Sequence, residues 1–260
     1  MNLITEVQKC KLCGGAVRVV RRADGAADHY ESIPITDVPT APTPAHLLDF
    51  LKASRKDKRT VAIVGSAWTT RGWAPYGEEG VEVWCFNEMH GQTGIGKPTR
   101  WFQMHPRSSW DKEHRFRHRE WLQSEHDFPI YMQQKYDDIP NVVRYPLREI
   151  QDKLLNRVWK GEEKLKRIFS SSFVYGIALA LYEGNFDRIE LFGIEMLLDG
   201  EYAYQRESMS FWVGKADGMG VEVWMPEQCH LFELPLYAYD EIRHGDGSVE
   251  VVDHADLPIV

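Results

Sequence analysis

The chain has 260 residues, 43% hydrophobic and 27% charged, which is enough apolar material for one globular body with a small appendage. Its formal net charge of −8 argues against a surface that coats nucleic acid broadly. The longest apolar runs, such as residues 177–182, are far too short to cross a bilayer. The first residues, Met1 to Glu6, carry no basic start and no apolar stretch, so a cytoplasmic protein with no membrane partner is expected.

Residues 1–58 read as an irregular N-terminal arm and linker. Cys10-x-x-Cys13 before Gly14-Gly15 has the form of half a zinc knuckle, with His29 as a third candidate ligand. No second Cys-x-x-Cys follows, so a structural zinc and a loose arm without metal both stay open. Prolines 34, 39, 42 and 44 favour extended chain. A short helix from about Pro44 to Ser54, capped by Thr43, is expected next.

From Arg59 to the C-terminus the pattern is that of a nucleotide-binding body. The apolar run Val61–Val64 ends in Gly65 and reads as a central parallel strand. Further strands are predicted at 81–86, where Cys85 reads as a buried thiol, and at 101–104, 129–132, 188–192 and 221–224. Helical patterns lie at 111–124, 149–166, 172–184 and 206–219. This alternation predicts an α/β, Rossmann-like open sheet, mostly parallel, with helices on both faces.

Ligands of such sheets bind outside the carboxyl ends of the strands. The residues there are Gly65, Ser66, Ala67, Trp68, Thr69 and Thr70, then Asn87 and Glu88, His105, and Glu195. Gly65 would let backbone approach a ligand closely, Asn87 would read a base edge or ribose, and Glu195 would bind ribose hydroxyls. Ser170, Ser171 and Ser172 open the helix at 172–184, whose first N–H groups suit an anion. Tyr202, Tyr204, Gln205 and Arg206 form a polar aromatic segment suited to a departing phosphate. The chain has neither a Gly-x-Gly-x-x-Gly fingerprint after a strand nor a P-loop nor Asp-x-Asp, Asp137-Asp138 being the nearest approach. No essential cofactor or metal is expected, apart from the zinc left open at Cys10 and Cys13.

The order Gly65-Ser66-Ala67, Asn87, Phe102 to Pro106, Ser170 to Gly176, Ile189 to Glu195 and Tyr202/Tyr204 resembles the CMP-sialic-acid-dependent sialyltransferases of glycosyltransferase family 42. It is also similar to the MptE-like (hydroxymethylpterin pyrophosphokinase-like) proteins. The likeness covers about residues 60–225. The whole chain further resembles phage-encoded proteins with segments like Arg100 to Pro106 and Glu201 to Arg206. The resemblance implies a GT-A-like variant of the fold and a UDP- or CMP-sugar held by Gly65 to Ala67, Asn87 and Ser170 to Ser172. Glu195 stands where the family has Asp, and Tyr202 and Tyr204 would steady the leaving phosphate. The first turn lacks the family's second Gly and its Pro-Ser, and the family's histidine has no counterpart here.

The reading that follows is a metal-independent glycosyltransferase with His105 as base, Glu195 as the second choice of base, and Arg206 beside the tyrosines on the phosphate. The expected acceptor is a hydroxymethylated pyrimidine in phage DNA, with Trp68, Trp73 or Trp110 stacking on an extruded base and the basic runs at 112–119 and 153–167 along the backbone. A magnesium-dependent pyrophosphokinase and a non-catalytic nucleotide-binding protein are the alternatives.

Overall fold

The computed structural model describes residues 4–9, 16–21, 27–32, 43–111, 115–155, 168–196, 202–232, 242–243 and 249–250. Cys10, Cys13 and the C-terminal tyrosines Tyr237 and Tyr239 fall outside them. The N-terminal segment holds three strands where an irregular arm is expected: β1 (Ile4–Lys9), β2 (Ala16–Arg21) and β3 (Ala27–Ser32), paired antiparallel in that order. The signal was the β-branched alternation of Ala16-Val-Arg-Val-Val-Arg21, which the neighbouring glycines obscured.

The body is a seven-stranded sheet, parallel at every junction. Its strands are β4 (Thr60–Val64), β5 (Val81–Phe86), β6 (Arg100–Gln103), β7 (Ile130–Met132), β8 (Val142–Arg144), β9 (Arg188–Phe192) and β10 (Glu222–Trp224). The spatial order is β10-β9-β4-β5-β6-β7-β8. The chain thus walks outward from β4 to β8, then returns to the other side of β4, which puts the switch of direction between β4 and β9. Every residue of β4 and β9 is buried, as central strands covered on both faces require. Six of these strands are those expected; β8 was missed because three residues beside Pro140-Asn141 are too short to show a period. A last pair, β11 (Ile242–Arg243) and β12 (Val249–Glu250), is antiparallel.

The helices are α1 (Ala45–Arg55), α2 (Arg107–Trp110), α3 (His118–Gln123), α4 (Leu147–Leu154), α5 (Ser172–Glu183) and α6 (Tyr202–Gly218). α5 lies on the sheet face that carries Ile63 and Phe86, and Gly176 lets it come close: a Cβ there would stand 2.8 Å from Phe86 Cζ. α1 covers the opposite face. Its Leu51 is fully buried, and its Arg55 reaches Glu190 of β9. α1 therefore packs as part of the body although the sequence reading puts it in the arm, and Pro44, not Thr43, occupies its N-cap, without a side-chain bond.

The helix expected over 111–124 is broken. Phe116 and Arg117 are left-handed, with φ of 67° and 52°. Phe116 lies so tightly against Gly91 that a Cβ on Gly91 would meet its ring at 2.1 Å. Docking of this aromatic against the loop after β5 wins over local helix propensity. Beside it His90 stacks on Trp121, with ring centroids 4.4 Å apart and planes 4° from parallel, and on His118 at 5.1 Å. Burial, and then the neighbouring His126, push the His90 imidazole down to about 4. The unfolded chain therefore binds a proton at a pH where the native state does not. The stabilising contribution is complete above about pH 6.5 and is lost as pH falls toward 4. Thermal melts across that range should show a declining midpoint, and His90→Phe should flatten the decline; an unchanged slope in the variant would overturn this assignment.

Candidate functional site

The carboxyl ends of β4 and β9 are stitched together by backbone. Gly65 N donates to Phe192 O at 2.7 Å and Ala67 N to Gly193 O at 2.9 Å. A Cβ on Gly65 would lie 2.4 Å from Gly193 O and 2.9 Å from Phe173 Cζ. What approaches Gly65 closely is thus the neighbouring strand end and an aromatic ring, not the ligand that the sequence reading supposed. Thr70 is also spent on this junction: it is buried, and its Oγ1 accepts from Gly193 N at 2.7 Å. Arg71, fully buried, ties the Ser66 carbonyl (2.8 Å) to the Gln92 side chain (2.9 Å) and the Thr93 carbonyl (2.8 Å). Burial lowers its guanidinium to about 10.

Beside this junction, above the ends of β4, β5 and β6, opens a cleft of about 350 Å³. Its polar wall is Ser66 after β4, Asn87 after β5, His105 after β6, Ser170 to Ser172 at the start of α5, and Gln205 from α6. All seven are among the residues selected from sequence. Ser171 is the N-cap of α5, its hydroxyl accepting from Phe173 N, and Gly184 ends the helix in the left-handed region at φ 69°. His105 is exposed at the rim. The strand end that carries it is pinned through Met104, whose carbonyl accepts from Gln133 Nε2 at 2.7 Å and whose N–H donates to Asn87 Oδ1 at 3.2 Å.

The apolar part of the lining is Met104, Phe169, Phe173 and Tyr175, none of them given a ligand-binding role in the sequence reading. The rings stood in the segment that opens α5, but periodicity only says that such side chains are apolar, not which of them turn to a cleft.

Other expected site residues stand elsewhere. Gly65, Ala67, Trp68, Thr69, Glu88 and Glu195 do not line the cleft. Glu195 instead accepts the Thr69 hydroxyl at 2.9 Å, on the β9 side of the rim. Arg206 is buried and donates to the carbonyls of Met196 (3.2 Å) and Leu231 (2.8 Å), so its fork is a backbone tie and not a clamp on a departing phosphate. Tyr202 and Tyr204 begin α6; their side chains lie outside the described residues. Trp110 is fully buried and presents no face for a base to stack on. Asp138, of the Asp137-Asp138 pair, is gripped by both terminal nitrogens of Arg107 at 2.8 and 2.7 Å, which hold its carboxyl down to about 2. Cys85 is buried as expected, and burial pushes its thiol up to about 12. Of the basic run at 153–167, only Lys153 belongs to the described residues.

These features define a doubly wound, Rossmann-like α/β protein with a polar cleft at the carboxyl edge, one strand from the switch point. No family model, curated protein or solved structure matches the chain. No helix among the described residues is long and apolar enough to cross a membrane.

Proposed function

We propose that the cleft binds a nucleotide-sugar and that the protein transfers the sugar to an acceptor hydroxyl without an essential metal. The observation that carries the reading is convergence: seven residues chosen from five separate stretches of sequence line one cavity at the edge where such sheets hold ligands. The positive N-terminal end of α5, with the serines around it in the wall of the cleft, favours phosphoryl oxygens. His105, exposed at the rim, is reachable by an acceptor from solvent. In this mechanism His105 takes the proton of the acceptor hydroxyl as its oxygen bonds to the anomeric carbon. The bond from that carbon to phosphate breaks, and the nucleotide leaves with the electron pair. Glu195, tied to Thr69 outside the lining of the cleft, is assigned neither the base role nor a contact with the donor. A hydroxymethylated pyrimidine in DNA is the acceptor to test first.

A thermal-shift screen of UDP- and CMP-sugars, each with and without magnesium, tests the binding. Stabilisation by one of them in the absence of metal is the expected result; stabilisation by a nucleoside triphosphate only with magnesium would favour pyrophosphoryl transfer instead. With the donor known, His105→Ala should lower kcat about 100-fold or more while KM for the donor stays near the wild-type value. A raised KM at unchanged kcat would remove His105 from the base role.

A further inference from the structure

Asn87 closes β5 in the left-handed region, at φ 50°, a conformation asparagine tolerates better than most residues with a Cβ. All its polar groups are engaged. The backbone N–H donates to Phe102 O at 2.7 Å, and the carbonyl accepts from Trp101 Nε1 at 3.0 Å, which binds the turn to β6. In the side chain, Oδ1 accepts from Met104 N at 3.2 Å and Nδ2 donates to Ser172 Oγ at 3.0 Å. The direction of this amide is forced by chemistry. A backbone N–H only donates, so the amide atom that faces Met104 is the oxygen. The nitrogen then faces Ser172, whose oxygen must accept. A hydroxyl has a single hydrogen. With a lone pair committed to Asn87, the Ser172 hydrogen is left for a different acceptor, and Ser172 is half-buried in the wall of the cleft.

We infer that Asn87 is a positioning residue that fixes Ser172 as a hydrogen-bond donor into the cleft, and that the ligand group seated on Ser172 is a phosphoryl oxygen. The inference rests on the nucleotide reading above and departs from it at one point. Asn87 does not itself read the base or ribose. Its amide holds together the ends of β5 and β6 and the first residue of α5, and it sets which way one hydroxyl points. An acceptor-only group is the complement of a donor fixed in this manner. Replacing Asn87 by Asp inverts the arrangement: the carboxylate still accepts from Met104 N, but it now demands the Ser172 hydrogen and withdraws it from the cleft.

The test is a cycle of Asn87→Asp, Ser172→Ala and the double variant, with UDP, CMP, uridine and cytidine as probes in calorimetric titrations. In the wild-type background Ser172→Ala should weaken UDP or CMP binding about tenfold, the loss of one hydrogen bond to a charged group. Asn87→Asp should weaken it at least as much, and adding Ser172→Ala to Asn87→Asp should change nothing further, because the hydroxyl has already turned away. The nucleosides should be insensitive to Ser172→Ala. A full tenfold loss from Ser172→Ala in the Asn87→Asp background would mean that the new carboxylate acts by charge alone; the positioning role then falls while nucleotide binding stands. Equal losses for uridine and cytidine would overturn the phosphoryl assignment. If the wild-type protein binds neither UDP nor CMP, the nucleotide reading and the phosphoryl assignment fall together. The Asn87–Ser172 link is then decided by thermal midpoints of Asn87→Ala, Ser172→Ala and their combination, where losses that simply sum overturn it.

Discussion

Glu190→Ala should cost about 3–5 kcal/mol of stability, the range found when one partner of a buried ion pair is removed. Glu190 is fully buried in β9 and accepts from Arg188 Nε at 2.8 Å and from Arg55 Nη2 at 2.7 Å. Both guanidiniums are themselves buried, Arg188 completely and Arg55 at 6% exposure. The remaining partners sit at the surface side: Glu78 on Arg55, and Glu222 bridging Arg188 to Lys58. Deleting the central carboxylate leaves two cations in low dielectric with only half-exposed partners, and relocating them to water would open the α1–sheet contact. Glu222→Ala, by contrast, removes a side chain 45% exposed and should cost about 1 kcal/mol or less. Urea melts of the two variants decide the matter. Losses equal within about 1 kcal/mol would show that the interior of the network carries no more than its rim.

Gly193→Ala should lose on the order of 3 kcal/mol, and Gly184→Ala only about 1 kcal/mol, although both glycines are left-handed, at φ 62° and 69°. The difference is space. A Cβ at 184 has nothing within 4 Å, so alanine there meets only the dihedral penalty. A Cβ at 193 would stand 2.4 Å from the Gly65 carbonyl oxygen and 2.9 Å from Arg71 Cβ, and the first of these is backbone that cannot rotate aside. Relief requires β4 and β9 to separate at their carboxyl ends, beside Ser66 and the cleft. By the usual scaling for a chain of this size, the Gly193 variant should melt about 6–12 °C lower and the Gly184 variant about 2–4 °C lower. Indistinguishable midpoints would mean that the strand ends part easily and that Gly193 is needed only for its backbone angle.

Much of the fold was legible because central parallel strands are buried on both faces and read as unbroken apolar runs: Val61–Val64 and Ile189–Phe192 could hardly be anything else. α5 was equally plain. Ser171 caps it, Gly184 stops it, and the structure bounds it at Ser172–Glu183 against an expected 172–184. The half-exposed edge strand β8 was not legible, since three residues carry too few positions to establish a period, and in the strands before residue 33 the neighbouring glycines obscured the pattern. Likewise no local signal announced that Phe116 would dock on Gly91 and break a helix.

The same division runs through the cleft. Strand ends, marked by where apolar runs stop and read with the rule that doubly wound sheets bind at their carboxyl edge, were enough to choose Ser66, Asn87 and His105, while Ser170 to Ser172 stood out as a helix start and Gln205 as part of a polar aromatic segment. The direction of each side chain was decided only by tertiary packing. Arg206 and Glu195 have the chemistry of ligand-binding groups, yet one is drawn under the surface by two backbone carbonyls and the other faces Thr69. Asn87 lies at the expected strand end, but its amide is committed to Met104 and Ser172. Apolar periodicity is a property of one segment at a time and survives in the sequence. A hydrogen bond between residues 85 positions apart depends on how β5, β6 and α5 are stacked, and it is specified only once they are.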